Sequence, residues 1–110
     1  MEELLKNAAE FIESGEENIR KSRFNAAVSD FFKAVVILCD YLIYREIKAV
    51  PKNHNERFSL LKLYFGEIYS SVSALFKTYT QSYNLRLKEE DALKLKEYAN
   101  GLRNNILGKK

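Results

Sequence analysis

Residues 24–47 read FNAAVSDFFKAVVILCDYLIYREI and predict the longest helix of the chain. Apolar residues recur in this segment with alternating gaps of four and three, the period of one helix face. The recurring positions are Phe24, Val28, Phe31, Val35, Leu38 and Leu42. Phe32, Ile43 and Ile47 widen the face, and a helix that is apolar over more than half its girth is covered on two sides. We therefore expect a helix at the centre of a bundle, or one that also faces a second subunit.

The one proline of the chain follows this helix and separates it from the next. Pro51 lacks an N–H group and disfavours the helical conformation at Val50, so the helix should end before it. Two residues later, Asn53 and Glu56 have the spacing of a capping box. In such a box the Asn53 side chain accepts from the third helical N–H, and Glu56 reaches back to the N–H of Asn53. His54, the only histidine, then lies in the first turn of a new helix.

Similar apolar spacing predicts four further helices. They cover about residues 2–20, 53–65, 67–83 and 88–106. Ser22 is the expected N-cap of the long helix, and Gly66 the residue that ends the third. Gly15 should weaken the first helix by about 1 kcal/mol relative to alanine. The predicted fold class is all-α, an up-down helical bundle of four long helices plus a short extra helix, in a single domain over residues 1–110.

The charge distribution is more informative than the net charge of +3. Residues 1–20 contain six acidic and two basic side chains, whereas the segments 21–84 and 85–110 are both basic. This asymmetry allows contact with a nucleic-acid backbone without requiring it, and solvated helix faces of mixed charge explain it equally well. Residues 1–6 lack the features of a secretory signal, and the apolar run 34–39 is too short to span a bilayer. We expect a cytoplasmic protein with no membrane contact.

Several classes of chemistry find no support in the sequence. Cys39 is the only cysteine and lies in an apolar run, where it should pack as a small hydrophobic residue. No cluster of ligands predicts a metal site, and the acids Glu89, Glu90 and Asp91 suit the start of a helix. The chain has no glycine-rich phosphate loop, so neither a P-loop nor a Rossmann nucleotide site is expected. We expect no cofactor.

The candidate functional residues lie at two joins between helices. His54, with Arg57 one helical turn later, could carry proton-transfer chemistry, or could simply be bonded near the Pro51 turn. Tyr83 and Arg86, between the fourth and fifth helices, could stack a base and hold a phosphate. Arg45 belongs to a basic group around the central turn that forms either a phosphate-facing patch or a solvated surface. The other members of this group are Lys48, Lys52 and Arg57.

Over about residues 4–106 the pattern resembles the HEPN superfamily of small helical bundles. Glu13-Ser14-Gly15 followed by Arg23-Phe24-Asn25-Ala26-Ala27-Val28 is similar to the opening hairpin of that family. Pro51-Lys52-Asn53-His54 resembles the proline–threonine–histidine sequence that begins its third helix. Gln81-Ser82-Tyr83, a loop and Glu89-Glu90-Asp91-Ala92 resemble its serine–arginine–tyrosine and threonine–glutamate–aspartate–alanine stretch.

The resemblance implies a homodimer, here through the second and fourth helices, but it does not extend to the nuclease motif. Many HEPN proteins are metal-independent ribonucleases, often toxins paired with a small nucleotidyltransferase antitoxin. Their motif is an arginine, usually followed by a polar residue, with a histidine four to six positions after the arginine. Neither Arg86 nor Arg103 is followed by such a histidine in this chain, and His54 precedes Arg57 in the reverse order.

These observations leave three hypotheses. The first is a non-catalytic HEPN-like binding and dimerisation module that partners a separate nucleotidyltransferase-type protein or binds nucleotide or RNA. The second is a divergent, toxin-like, metal-independent endoribonuclease that uses His54 with Arg57 or Arg86 across a dimer. The third is a helical dimer without activity. We favour the first, because the histidine that the nuclease motif requires is missing.

Overall fold

A computed structural model describes residues 2–108, which form five α-helices and no β-strand. The helices are α1 (Glu2–Arg20), α2 (Phe24–Ile47), α3 (His54–Tyr64), α4 (Gly66–Gln81) and α5 (Glu89–Ile106). The all-α class and the number of helices are therefore confirmed. Within residues 2–108 no helix has the length and apolar character needed to cross a membrane.

Helix α2 is the central element on which every other helix packs. Its 24 residues span roughly 36 Å at 1.5 Å per residue, close to the 38 Å longest dimension of the molecule. Its largest fully buried side chains are Phe31, Phe32, Leu38, Ile43, Val28 and Val35. The neighbouring helices of the same chain thus bury most of the predicted apolar stripe and two of the residues that widen it, Phe32 and Ile43. Phe24 and Ile47 stay half-buried.

Helices α1 and α2 form an antiparallel hairpin that is closely packed at Gly15. A Cβ atom added to Gly15 would lie 2.7 Å from ring atoms of Phe31, which is fully buried. On the outer side of the hairpin the Asp30 carboxylate accepts hydrogen bonds from Ser14 Oγ and Asn18 Nδ2, each at 2.8 Å. The expectation that Gly15 is only a weak point of α1 was wrong, because the missing side chain makes room for the Phe31 ring.

Two helix ends differ from the predictions. Ser22 is not the N-cap of α2: it adopts a left-handed conformation with φ 57°, and Arg23 occupies the cap position without a side-chain hydrogen bond. Gly66 does not end α3: it is the first residue of α4, and the chain turns at Phe65, with φ −140° and ψ 65°. Both differences arise in turns too short for a separate cap and breaker.

The join between α2 and α3 is made by a left-handed residue and then the proline. Lys48 ends α2 with φ 59°, and its N–H donates to the carbonyl of Tyr44 at 2.8 Å. Pro51 is buried, and Asn53 then caps α3 by accepting the Glu56 N–H at 2.9 Å on its side-chain oxygen. The predicted Asn53 cap is therefore confirmed, whereas no return hydrogen bond from the Glu56 side chain is formed among residues 2–108.

The join between α4 and α5 is fixed to the start of α2 by Asn25. The Asn25 amide donates to the carbonyl oxygens of Ser82 at 2.9 Å and Leu85 at 2.6 Å. Its oxygen accepts the N–H of Leu87 at 2.9 Å. One side chain thus satisfies three backbone groups of this loop, which holds the stretch that contains Arg86 beside the first turn of α2.

Candidate functional site

Three polar side chains meet where α3 begins against the middle of α2. Arg57 donates from Nε to Asp40 Oδ1 at 2.6 Å and from Nη2 to Asp40 Oδ2 at 2.9 Å. Both side chains are about 10% exposed, so this is a buried two-point ion pair. The remaining terminal nitrogen, Nη1, lies 2.9 Å from His54 Nδ1. One sequence-based alternative placed Arg57 in a solvated surface around the central turn. The buried ion pair excludes that alternative for Arg57.

The contact with Arg57 fixes the protonation of His54. A guanidinium has only donors, so His54 Nδ1 must accept the hydrogen bond and the proton of the neutral ring must be on Nε2. The pKa of His54 is lowered, first by loss of hydration against its neighbours and then by the positive charge of Arg57, while Asp40 opposes the shift. At neutral pH the His54 ring is thus neutral. Its Nε2–H can donate a hydrogen bond, and its Nδ1 already accepts one from Arg57.

The same end of the molecule carries a connected group of aromatic rings. His54 lies 5.6 Å from Phe76 between ring centroids, and Phe76 lies 5.7 Å from Phe32. Tyr79 stacks on Phe32 with centroids 4.6 Å apart and planes 14° apart. Tyr83 then contacts Tyr79 edge to face, and their hydroxyl oxygens are 2.8 Å apart. The aromatic group therefore links buried α2 to the exposed end of α4.

These elements border an open groove of about 470 Å³, here called the His54 groove. Its wall is apolar and comes from α1, α2 and α4, while its polar end is the start of α3. The lining residues are Phe11, Phe32, Lys33, Val36, Ile37, Lys52, Asn53, His54, Arg57 and Tyr79. The volume falls within the range of small-molecule sites in proteins.

The charge of the His54 groove is uniformly positive or neutral. Lys33 and Lys52 are exposed, neither forms an ion pair within residues 2–108, and no acidic side chain is among the lining residues. Lys33 Nζ lies 5.6 Å from the centre of the Phe11 ring, which holds the ammonium group over the apolar wall. The groove thus combines an apolar surface with donors suited to an anion.

The structure brings some of the predicted site residues together and separates others. His54 and Arg57 are hydrogen-bonded neighbours, as their spacing suggested. Tyr83 is 76% exposed at the end of the aromatic group, and Arg86 is exposed in the loop held by Asn25. Arg45 is stacked over Tyr41 near the other end of α2, 20 residues after Asn25, or about 30 Å along the helix axis. Arg45 and Arg86 therefore cannot contact the same small ligand.

The buried cysteine lies outside the His54 groove, and His54 is the only histidine, cysteine or carboxylate among the residues that line it. Burial raises the pKa of Cys39 to about 12, so its thiol stays protonated, and its predicted packing role is confirmed. Within residues 2–108, no three histidine, cysteine, aspartate or glutamate side chains come close enough to share a metal ion.

Sequence reasoning missed Asp40, Lys33 and Phe11. Asp40 carried a usable signal, because an acid inside the apolar run of a central helix must find a buried partner. Lys33 and Phe11 carried none, since only the packing of α1 on α2 turns them toward the start of α3. No family model, curated protein or solved structure matches this chain, so the likeness to HEPN proteins depends on the motifs quoted above alone.

Proposed function

We propose that this protein is a non-catalytic, HEPN-like binding module that holds an anionic small molecule, a nucleotide or the end of an RNA chain, in the His54 groove. The observation that carries the proposal is the lining of that groove. It presents Lys33 and Lys52, no acid and an aromatic wall at the first turn of a helix. Phosphate groups are stabilised by such unpaired ammonium groups and by the free N–H groups of a helix start.

The arrangement of the helices supports the finer fold proposal, an up-down bundle. Helix α1 is antiparallel to α2, since Gly15 faces Phe31 and Phe11 lies under Lys33. The stacking of Tyr79 on Phe32 brings the end of α4 to the first half of α2, as an antiparallel α4 requires. In this proposal α3 is the short extra helix, and the long helices are α1, α2, α4 and α5.

The geometry favours binding over the alternative of an endoribonuclease. A general base needs a free lone pair within reach of the substrate hydroxyl. His54 directs its lone pair at Arg57, and Arg57 in turn is occupied by Asp40. In the nuclease hypothesis His54 would be the base and Arg57 one candidate for the cation that stabilises the transition state. In the structure these two side chains are hydrogen-bonded to each other, and Arg57 is also bonded to the buried carboxylate of Asp40.

The test is a titration of the full chain with adenosine monophosphate. Calorimetry measures the affinity, and chemical-shift changes in ¹⁵N spectra locate the site. We expect the shifts to centre on the start of α3, and Lys33→Glu with Lys52→Glu to weaken binding by more than tenfold, since each variant replaces attraction by repulsion. Lys94→Glu is the matched control, because Lys94 is an exposed lysine of α5 outside the groove. Binding that the groove variants leave unchanged would reject the proposal.

His54→Gln separates binding from catalysis. Glutamine retains an N–H donor but cannot act as an imidazole base, so nucleotide binding should persist. If the wild-type protein cleaves single-stranded RNA and His54→Gln abolishes cleavage, the endoribonuclease is the correct function. Co-purification followed by mass spectrometry tests the remaining parts of the proposal, a homodimer and a separate nucleotidyltransferase-type partner.

A further inference from the structure

The side chains that line the His54 groove are almost exclusively hydrogen-bond donors. Lys33 and Lys52 carry ammonium groups, and His54 offers its Nε2 proton because Nδ1 is bonded to Arg57. Each of the two side-chain oxygens of the lining already has one hydrogen-bond partner. Asn53 Oδ1 accepts the N–H of Glu56, and the Tyr79 hydroxyl is bonded to that of Tyr83. The groove can thus satisfy acceptors on a ligand much better than donors.

This imbalance matters because the Watson–Crick edge of every nucleobase combines donors with acceptors. Adenine and cytosine present amino groups, guanine presents an amino group and a ring N–H, and uracil presents a ring N–H. Recognition of that edge needs a protein acceptor placed opposite a base donor, as in the pairing of a carboxylate with cytosine. No carboxylate lines the groove. The O6 and N7 edge of guanine can be read by donors alone, but both lysines of the groove are assigned to the phosphate. A phosphate monoester, by contrast, is mainly a dianion at pH 7 and then has only acceptors, which suits this set of donors.

The remaining contact that the groove offers is an apolar surface that includes the Phe11 ring. Phe11, Val36 and Ile37 are half-buried, so part of each side chain faces the groove, and the Phe32 ring lies behind them. Stacking against such a surface tolerates any base, because every base has an apolar face.

We infer that the His54 groove binds nucleoside monophosphates, free or at the end of an RNA chain, through the phosphate and the face of the base, and does not distinguish the four bases. This inference rests on the proposed function and adds the recognition rule for its ligand. The phosphate lies between Lys33, Lys52 and His54, and the base lies against the apolar wall beside Phe11. Binding is lost at high salt, since the phosphate contacts are made by exposed ammonium groups.

The test compares four nucleoside monophosphates (of adenine, guanine, cytosine and uracil) with adenosine, phenyl phosphate and inorganic phosphate by calorimetry on the full chain. We expect the four dissociation constants to agree within about threefold, since a single edge contact discriminates by more than that. Adenosine should bind at least about tenfold more weakly than its monophosphate, because it lacks the charged group. Phenyl phosphate should bind more tightly than inorganic phosphate, because it adds a flat apolar ring.

Phe11→Leu tests the wall separately from the phosphate contacts. It should weaken all four monophosphates by roughly fivefold or more. Inorganic phosphate should be weakened less, because it loses only the support that the Phe11 ring gives to the Lys33 ammonium group. A circular dichroism melt confirms that the variant is folded.

The possible outcomes separate this inference from the proposed function. A preference of more than about tenfold for one base, or equal affinity for inorganic phosphate and the monophosphates, overturns the inference and leaves an anion-binding groove. Failure of all the phosphates to bind, or binding that Lys33→Glu and Lys52→Glu do not affect, overturns both.

Discussion

Helices α1, α2 and α5 form one part of the molecule, and α3 and α4 form the other. The two parts differ in the interactions that hold their helices in place. Eleven residues of α2 are buried, among them large apolar side chains, whereas α3 and α4 bury two each. One of the two in α3 is Arg57, which reaches Asp40 of α2. Leu63 at the far end of α3 is 71% exposed. The first part therefore depends mainly on close apolar packing around α2, whereas the second adds an ion pair and aromatic contacts to a smaller buried apolar set, Leu61, Val72 and Leu75.

This difference explains where the candidate site lies. The His54 groove is bordered by closely packed α1 and α2 on one side and by the ends of the less buried α3 and α4 on the other. A rigid wall with a polar rim suits ligand binding, because the wall keeps its shape while the rim supplies the specific contacts.

The largest effect is expected from Asp40→Ala. The substitution leaves the Arg57 guanidinium buried without a carboxylate, and breaking such a pair costs about 3–5 kcal/mol. The free energy of unfolding from urea titrations measures the loss. The control is the double variant Asp40→Leu with Arg57→Met, which removes both charges and should recover most of the stability. Equal losses in the single and the double variant would mean that shape, and not the unpaired charge, is responsible.

Gly15→Ala tests the close packing of the other part. The added methyl group would meet the Phe31 ring at 2.7 Å, and because Phe31 is fully buried we expect a loss of about 1–3 kcal/mol. The matched control is Gly101→Ala in α5, where nothing lies within 4 Å of the added carbon. The control should gain about 0.5–1 kcal/mol from helix propensity. Thermal and urea unfolding of both variants measure the contrast, and a gain at both sites would contradict the packing described for Phe31.

Asn25→Ala addresses the loop that connects the two parts. It removes three hydrogen bonds to the backbone of residues 82–87, and two of them, to Ser82 and Leu87, are partly buried. The loss should cost about 1–2 kcal/mol. Hydrogen exchange should become faster in this loop and at the start of α5, with little change in the middle of α2. Exchange that becomes uniformly faster over the chain would show that Asn25 supports the whole fold and not this loop.

The two parts also differ in how far the sequence predicts them. The range 24–47 predicted for α2 is confirmed although its N-cap is not, because the apolar period is long and the burial of the helix follows that period. The turn at Phe65 and the left-handed Ser22 were missed, since neither residue type signals its backbone conformation. The pairing of His54 with Arg57 follows from their spacing along one helix. The link to Asp40 and the presence of Lys33 in the groove depend on tertiary packing, which spacing along the chain does not encode.

The smallest expected effect is a pH dependence carried by His54. Its pKa is lowered in the folded protein by burial against its neighbours and by Arg57, so below about pH 6.5 the unfolded chain binds more protons than the folded one. The free energy of unfolding should therefore rise with pH through the window between the folded pKa and about 6.5, and become level above it. Because the side chain is largely exposed, the rise is small. His54→Gln should remove it, and since His54 is the only histidine, a rise near pH 6 that persists in this variant would have to come from another group. A fall of stability over the same window would mean that Asp40, and not burial with Arg57, dominates the environment of the ring.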